Sequence, residues 1–324
     1  MEQFPVEYSS LSANALLRLV IEKYSLSPTA GITFLKRGFN DTYLIKTDKN
    51  KYILRVYKHN WRSPQSIKSE IDLLNYLSKN DVPVSVPVID RSGNYMQALQ
   101  APEGPRNAVL FTYASGNPVK KLNAAQAFSL GRSTGKIHAL THNKMYDGVA
   151  FNYNIAEQFG SIISTLQPLL ADHPQQFDYL LKLKADFEET FMDMNESEMP
   201  KGICHGDLQA ENFHINTAGN ITFFDFDFFG NGYLVYDIGV FIWYDHKNKP
   251  KEIIDEFLKG YQTQRSLTAT ELRLLPYFST LRALFQMTLF CRISDGKQLP
   301  LWPVQQVADF IGKVEKWHEE RRKK

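Results

Sequence analysis

The sequence predicts an α+β fold in two lobes, a small N-terminal lobe with an antiparallel sheet (residues 1–115) and a larger helical C-terminal lobe (116–324). Within residues 31–113, short segments rich in β-branched and aromatic residues alternate with turn residues, which is typical of strands. Beyond Gly116, apolar residues recur at helical spacing in six segments. The length also fits roughly two folding units of about 150 residues each. We expect a binding site in the cleft between the lobes.

In the N-terminal lobe, the pattern predicts one helix before the sheet and another inside it. Residues 11–24 carry apolar side chains at helical spacing, with Ser10 or Ser12 as the N-cap. Residues 64–79 are amphipathic and open with a Ser-Pro pair, which fits a cap followed by a proline in the first turn. The predicted strands are 32–35, 43–46, 52–57, 86–100 and 107–113.

The C-terminal lobe is predicted to be helical apart from a β-rich island at residues 203–229. Within that island, two apolar segments flank the turn residues 216–220, which predicts a β-hairpin. The predicted helices are 123–140, 154–171, 174–194, 251–264, 270–293 and 303–321.

The composition predicts a globular, cytoplasmic protein. Hydrophobic residues make up 43% of the chain and include 22 Phe and 16 Tyr, which can fill a core and argue against disorder. The formal net charge of +2 is too small to indicate a nucleic-acid partner. Two cysteines cannot build a disulfide scaffold, and Cys204 is expected to be buried on an apolar strand and not to act as a nucleophile. The N-terminus lacks a signal-peptide pattern, and the most apolar segment, 277–291, is too short to cross a bilayer.

The most informative segment is 205–212 (HGDLQAEN), which is followed by the predicted hairpin and by residues 223–227 (FFDFD). The hairpin is expected to bring Asn212, at the start of one strand, beside Asp225, at the end of the other. Oxygen ligands of this kind suit Mg²⁺, which takes its remaining ligands from phosphates and water. Asp207 lies on the loop that enters the hairpin, where it can face a hydroxyl group that awaits phosphorylation.

This order of residues is that of phosphoryl transfer on a kinase scaffold: a catalytic loop with His, Asp and Asn, then a hairpin, then a metal-binding Asp. The alternative is a surface loop with scattered acidic residues. The spacing, the strand–turn–strand pattern and the second Asp together favour the catalytic loop.

Three segments resemble the aminoglycoside phosphotransferase and choline kinase superfamily: the 205–212 loop, residues 225–227 (DFD) and residues 236–239 (YDIG). The resemblance covers about residues 30–245. It implies a protein-kinase-like fold and an ATP-dependent phosphotransferase activity with ATP and Mg²⁺ as cofactors. These motifs are specific to the superfamily and do not identify a substrate.

By this resemblance, Asp207 is the catalytic base, and Asn212 and Asp225 are the metal ligands. Asp237 would brace the catalytic loop from the following helix, although an exposed carboxylate at a helix start fits the sequence equally well. Asp227 stands where protein kinases have the glycine of D-F-G, and it is either a further ligand or a polar residue at a strand end.

The ATP phosphates are expected to contact the N-terminal lobe. Protein kinases place a lysine on the third strand, and here Arg55 stands at that position, where its guanidinium can grip phosphate oxygens. Glu70, on the following helix, would orient Arg55. The alternatives are a strand arginine that faces solvent and an ordinary glutamate on a helix surface.

Residues 37–43 (RGFNDTY) resemble the looser phosphate-binding turn of this superfamily. Gly38 would allow a tight turn there, and Asn40 and Thr42 would donate to phosphate. An ordinary hairpin fits the same residues equally well. Residues 111–114 (FTYA) resemble the connector whose backbone pairs with adenine, an assignment that rests on position alone.

The acceptor pocket is expected in the C-terminal lobe, near residues 243–245 (WYD) and near Arg282, Gln286 and Arg292 on a long helix. From residue 246 onwards the chain has 15 Lys and Arg against nine Asp and Glu, which argues against a polycationic, aminoglycoside-like acceptor. The excess favours a neutral, zwitterionic or carboxylate-bearing acceptor, such as an amino alcohol, a hydroxy amino acid or a sugar.

The sequence leaves three hypotheses for the activity. We expect a phosphotransferase that moves the γ-phosphate of MgATP to a hydroxyl of a small molecule, because the chain after the DFD motif is short and lacks an A-P-E-like segment. The second hypothesis is a Ser/Thr protein kinase of the same fold. The third, a non-catalytic ATP-binding protein, is disfavoured by the intact Asp207, Asn212 and Asp225. Neither a nucleic-acid partner nor a membrane partner is expected.

Overall fold

The computed structural model of the protein contains two compact units. The described residues are 4–192, 194, 196–244, 249–295 and 304–322. The first unit contains the described chain up to Val119 together with Asp147–Ala150 and Phe213–Asp225; the second contains Lys120–Tyr146, Phe151–Asn212 and the described chain from Phe226 onwards. Both units are discontinuous in sequence, and the domains 1–115 and 116–324 stay a prediction. An antiparallel sheet early in the chain and helices late in it confirm the predicted fold class.

The first unit is built on a five-stranded antiparallel sheet with the strand order β1-β2-β3-β5-β4. The strands are β1 (Gly31–Arg37), β2 (Asn40–Lys46), β3 (Lys51–Tyr57), β4 (Met96–Ala101) and β5 (Gly104–Thr112). Helix α1 (Ala13–Tyr24) begins after Ser12, whose side chain accepts a hydrogen bond from the Ala15 N–H, as one of the two predicted caps. Leu16, Val20 and Tyr24 recur four residues apart, so they share the helix face that packs on the sheet.

Helix α2 (Pro64–Lys79) has the predicted bounds, and the Ser63 side chain caps it by accepting from the Ser66 N–H. The predicted strand at 86–100 is wrong over residues 86–95, because β4 begins only at Met96. Residues 90–94 form a turn instead, in which the Asp90 carboxylate accepts the N–H groups of Ser92 and Asn94.

The predicted hairpin is present in the first unit as β8 (Phe213–Ile215) and β9 (Ile221–Phe223). Phe213 pairs with Phe223 at its open end. The Asn216 side chain accepts the N–H groups of Ala218 and Asn220, which closes the turn.

The second unit is helical, with a small three-stranded sheet. The sheet order is β6-β10-β7, and these strands are Phe151–Tyr153, Gly230–Tyr233 and Lys201–Cys204, respectively. The helices are α3 (Ala124–Thr141), α4 (Ile155–Leu166), α5 (Pro174–Met192), α6 (Val235–Trp243), α7 (Lys251–Gln262), α8 (Ala269–Asp295) and α9 (Val304–Arg322). Among the described residues, no helix is long and apolar enough to cross a membrane.

One helix boundary and two strands in this unit differ from the prediction for local reasons. The helix predicted to reach residue 171 ends at Leu166, because Pro168 lacks the N–H that continued α-helical bonding needs, and a short 3₁₀ turn follows. Strands β6 and β10 were not predicted, since three or four residues are too few to show an alternating pattern. Residues 193 and 303, at the edges of two predicted helices, lie outside the described part of the chain.

Candidate active site

In the first unit, the Arg55 side chain lies between two carboxylates. Its Nη1 donates to Glu70 Oε1 at 2.7 Å, and its Nη2 donates to Asp225 Oδ1 at 3.1 Å. The second oxygen of Glu70 accepts the Tyr57 hydroxyl at 3.1 Å. Arg55 is 7% exposed and Glu70 is 1% exposed, so neither side chain faces solvent. The two alternatives, a strand arginine that faces solvent and a glutamate on a helix surface, are therefore wrong. The predicted contact between Glu70 and Arg55 is present, and their role toward a nucleotide stays a prediction.

Asp225 follows β9 and adopts a left-handed backbone conformation, with φ of 62°, a region that Asp enters more readily than most residues with a Cβ. Besides Arg55, Lys36 contacts its carboxylate, with Nζ 3.4 Å from Oδ2. The Asp225 side chain is 27% exposed to solvent. A partly exposed carboxylate is therefore held by two cations from the sheet.

The two predicted phosphate-contacting residues lie on β2, on the sheet face that carries Arg55. Thr42 is directly opposite Arg55 in the strand register, and Asn40 is opposite Tyr57. Asn40 is buried, and its Oδ1 has no hydrogen-bond partner in the part of the chain that the structure describes. The predicted turn at Gly38 is present, and the Gly38 N–H donates to Asn40 O at 3.0 Å; however, its φ is not in the left-handed region and an added Cβ would meet no atom within 4 Å, so the turn does not require glycine.

The predicted connector, residues 111–114, begins in β5 and continues beyond its end at Thr112. The Thr112 N–H donates to Val86 O, and the Tyr113 N–H donates to Lys51 O. The carbonyl of Ala114 accepts from the His214 ring, in the hairpin. For the Tyr113 carbonyl, the described chain supplies no hydrogen-bond donor.

In the second unit, four donors hold the carboxylate of Asp207. Oδ1 accepts from Arg282 Nη2 at 2.6 Å and from the Tyr244 hydroxyl at 2.8 Å. Oδ2 accepts from Asn212 Nδ2 at 2.7 Å and from Gln209 Nε2 at 2.8 Å. The residue is only 7% exposed, so the surface-loop alternative is wrong for this carboxylate.

The orientation of the Asn212 amide is set by Asp207. Its Nδ2 also donates to the Asp207 carbonyl at 2.8 Å, so both amide hydrogens point at the catalytic loop. Asn212 Oδ1 accepts no hydrogen bond from any described residue, and an oxygen in that state suits a hard cation. The described residues contain no group of three or more His, Cys, Asp or Glu side chains arranged to hold a metal.

Asp237 holds the backbone of the 205–212 loop from the first turn of α6. Its carboxylate accepts the N–H of His205 at 2.7 Å and the N–H of Gly206 at 2.8 Å. It also accepts from His138 Nε2 at 3.0 Å, while the Tyr261 hydroxyl lies 2.7 Å from His138 Nδ1. Asp237 is 1% exposed, so the alternative of an exposed helix-start carboxylate is wrong.

The charges of this pair follow from its surroundings. Burial lowers the pKa of His138, although the hydrogen bond and charge of Asp237 act in the opposite direction. Burial alone would raise the pKa of Asp237, but the hydrogen bonds from His138 and from the Gly206 N–H outweigh it and hold that pKa below its usual value. An ionised Asp237 is therefore available to both loop N–H groups.

Gly206 has no room for a side chain. Its φ is 78°, and an added Cβ would lie 2.0 Å from the Tyr153 hydroxyl oxygen and 2.1 Å from the Phe228 carbonyl oxygen. Tyr153 donates to that same carbonyl, so neither atom can move freely. The loop reads H-G-D because only glycine fits between His205 and Asp207.

We expect Gly206→Ala to lower the free energy of unfolding by about 2–4 kcal/mol, from the left-handed backbone and from displacement of the Tyr153–Phe228 contact. Gly160→Ala is the matched control: it lies exposed in α4, an added Cβ meets no atom within 4 Å, and alanine should stabilise the helix by about 0.5–1 kcal/mol. Urea unfolding of both variants measures the difference. Equal stability of the two variants would show that the space at Gly206 is not limiting.

The comparison with protein families decides the family of the chain. Residues 31–275 match the model of the phosphotransferase enzyme family, APH. The chain belongs to this family. This match confirms the family resemblance that the 205–239 motifs predicted, and solved structures of a spectinomycin phosphotransferase and a choline kinase share the fold.

Relatives of this family member include proteins with named acceptors. It is 30% identical to an uncharacterized protein of Synechocystis sp. over 83% of this chain and 75% of the relative. It is 26% identical to the amicoumacin kinase of Bacillus subtilis, over 88% and 87% of the two chains. It is 24% identical to the homoserine kinase of Polaromonas naphthalenivorans, over 73% of each.

Solved structures share the fold of this phosphotransferase-family chain. An amicoumacin kinase in complex with AMP-PNP, Ca²⁺ and Ami superposes with a TM-score of 0.76 at 23% identity, over 94% of both chains. A microcompartment-associated aminopropanol kinase superposes with a TM-score of 0.72 at 20% identity, over 95% of this chain and 98% of that one.

Of the residues predicted for the acceptor pocket of this family member, Arg282 contacts Asp207, and Gln286 accepts instead from Trp243 Nε1 at 2.9 Å. Asp245 and the side chain of Arg292 lie outside the described residues. The contacts of Tyr244 and Gln209 with Asp207 were not predicted. The one sequence feature that indicated a contact of this kind is Arg282, a cation inside an apolar helical segment.

Two other predicted residues are buried in the second unit. Cys204 is fully buried in β7, as expected, and its burial raises the pKa of the thiol. Asp227 is 2% exposed and lies in a 3₁₀ turn, Phe226–Phe228. The prediction that Asp227 lies at a strand end is therefore wrong. A role of Asp227 as a further metal ligand stays a prediction.

Proposed function

We propose that this protein transfers the γ-phosphoryl group of ATP to a hydroxyl group of a small molecule, with Asp207 as the catalytic base. The observation that carries this proposal is the Asp207 carboxylate, which is buried and held at both oxygens by four donors. A carboxylate fixed in this way is already oriented for an acceptor hydroxyl, which has only to replace the Tyr244 hydroxyl. The named relatives, an amicoumacin kinase and a homoserine kinase, act on small molecules by their names, which supports the same class here.

In the proposed reaction, the acceptor hydroxyl oxygen forms a bond to the γ-phosphorus. The bond from the γ-phosphorus to the β–γ bridging oxygen breaks, and its electron pair leaves with ADP. The hydroxyl proton passes to a carboxylate oxygen of Asp207 and from there to solvent. Asp207 Oδ1 now accepts the Tyr244 hydroxyl, and the acceptor hydroxyl would take that place.

The first unit offers the groups that we assign to the nucleotide. Arg55 and Lys36 would contact phosphate oxygens once these compete with Asp225 for the two cations, and Glu70 keeps Arg55 in place. Asn40 and Thr42, on the same sheet face, would donate to phosphate. Adenine would pair with the backbone of residues 111–114.

We assign Asn212 and Asp225 to a divalent cation, with Mg²⁺ as the physiological ion. The Asn212 oxygen fits, because its amide nitrogen is already committed to Asp207, and the Asp225 carboxylate is partly exposed. When bound, the ion would neutralise charge on the β- and γ-phosphates.

The direct test is phosphate transfer from γ-labelled ATP to a panel of amino alcohols, hydroxy amino acids, sugars, aminoglycosides and generic protein substrates. We expect acceptor-dependent label on a small molecule and none on the proteins. Label on proteins alone would contradict the small-molecule class and favour a Ser/Thr protein kinase.

Arg55→Ala is expected to weaken ATP binding by about 10- to 100-fold, because a charged hydrogen bond to phosphate is lost. Lys46→Ala is the matched control, since it removes an exposed cation from the end of β2, in the same sheet. Calorimetry with ATP measures both variants. If Arg55→Ala and Lys46→Ala bind ATP equally well, Arg55 has only a structural role with Glu70.

A further inference from the structure

Arg282 is a buried cation in an apolar part of α8. It is 2% exposed and its sequence neighbours Leu281, Ala283 and Leu284 are fully buried. Its Nη2 donates to Asp207 Oδ1 at 2.6 Å and to the Tyr244 hydroxyl oxygen at 2.5 Å. The guanidinium therefore lies directly against the residue proposed as the catalytic base.

Within the described chain, two of the three guanidinium nitrogens of Arg282, Nε and Nη1, are buried and make no hydrogen bond. Unpaired N–H groups of a buried cation are costly, and native proteins retain few of them. Because these two lie beside a catalytic carboxylate, they indicate a ligand group that is present when the enzyme works.

Tyr244 covers both Arg282 and Asp207. The centre of its ring is 5.3 Å from the Arg282 guanidinium carbon, and its hydroxyl donates to Asp207 Oδ1 at 2.8 Å. Tyr244 is the first residue after α6, has an extended backbone and is half-buried. A hydroxyl group hydrogen-bonded to Asp207 is also what the proposed reaction requires of the acceptor.

We propose that Arg282 determines acceptor specificity by binding a carboxylate of the acceptor, and that Tyr244 occupies this subsite until the acceptor displaces it. The inference rests on the proposed function. A carboxylate offers only hydrogen-bond acceptors, which match the unpaired N–H groups of Arg282. An ammonium group at the same place would leave those N–H groups unpaired and would add a second cation. The preferred acceptor is then a hydroxy acid or a hydroxy amino acid.

Three matched pairs of acceptors isolate the carboxylate: serine with ethanolamine, threonine with 1-aminopropan-2-ol, and homoserine with 3-aminopropan-1-ol. In each pair the second compound lacks only the carboxylate. For wild-type protein we expect kcat/KM to favour the amino acid by about 10- to 100-fold in at least one pair, the range of a charged hydrogen bond.

The variant Arg282→Gln is expected to bring that ratio close to one, although turnover of both members falls because Asp207 also loses a partner. A ratio taken within one variant does not respond to a general loss of folding or of Asp207 position. Arg273→Gln, an exposed arginine on the same helix, is the control and should keep the wild-type ratio. Tyr244→Phe should lower KM for the amino acid about 2- to 10-fold, because a competing hydrogen bond to Asp207 is removed.

The inference is overturned if the amino alcohols, or sugars, are phosphorylated as well as or better than the amino acids. The proposed function would still stand in that case. An unchanged ratio in Arg282→Gln overturns it as well. If no small molecule in the panel is phosphorylated, the proposed function fails and the acceptor assignment fails with it. The comparison of the acceptor pairs uses wild-type protein, so it tests the inference even if a variant does not fold.

Discussion

Asp207→Asn is expected to reduce turnover by something on the order of 10²–10⁴-fold, while MgATP binds nearly as tightly as to the wild type. The asparagine keeps the size of the side chain and one acceptor oxygen but cannot take the proton of the acceptor hydroxyl. In either orientation its amide group also faces two of the four donors that now point at Asp207. Turnover with a suitable acceptor and calorimetry with MgATP should be measured on the same folded variant.

Glu211→Gln is the matched control, because it removes an exposed carboxylate four residues further along the same loop. Its turnover should remain within a fewfold of the wild type. If Asp207→Asn behaves like this control, Asp207 is not the base and the catalytic-loop interpretation fails. An equal loss of MgATP binding would instead place Asp207 among the metal ligands.

Asp225→Ala is expected to remove the Mg²⁺ dependence of nucleotide binding, with a loss of about tenfold or more in affinity for MgATP. Affinity for ATP without Mg²⁺ should stay the same or increase. The reason is that Asp225 pairs with Arg55 and Lys36, so its removal releases two cations for phosphate. A lower affinity for MgATP together with an unchanged or higher affinity for ATP alone would distinguish a metal ligand from a residue that only stabilises the fold.

Asp72→Ala, at an exposed position of α2, is the control and should retain wild-type Mg²⁺ dependence. Both affinities are measured by calorimetry, in Mg²⁺ and in chelator. Unchanged MgATP affinity in Asp225→Ala would remove Asp225 from the metal site. A parallel loss of both affinities would indicate a structural defect.

Local patterns in the sequence predict the elements of this fold well. Helix α2 has its predicted bounds because a cap and a first-turn proline mark its start. The hairpin β8–β9 was predicted because its turn residues bond their own backbone. Prediction failed where the deciding interaction is short or specific, as for the Asp90 turn inside the predicted strand 86–100.

For the candidate site, prediction from the sequence reaches less far than for the fold. The spacing within one loop indicated Asp207 and Asn212, and the family pattern indicated Arg55 and Glu70. The contact of Arg282 with Asp207 joins residues that are 75 positions apart, and only tertiary packing brings them together. Its unpaired nitrogens are likewise a property of burial, which a sequence does not display.

The carboxylate of Asp237 has a consequence for the entropy of catalysis. It holds the loop through two backbone N–H groups, and three side chains that stay when an acceptor replaces Tyr244 then immobilise Asp207 within that loop. If Asp207 is the base, as we propose, its conformational freedom is lost when the chain folds, not each time an acceptor arrives. Acceptor binding energy then remains available for bringing the hydroxyl into line with the phosphorus, and the proposed catalytic loop is preorganised.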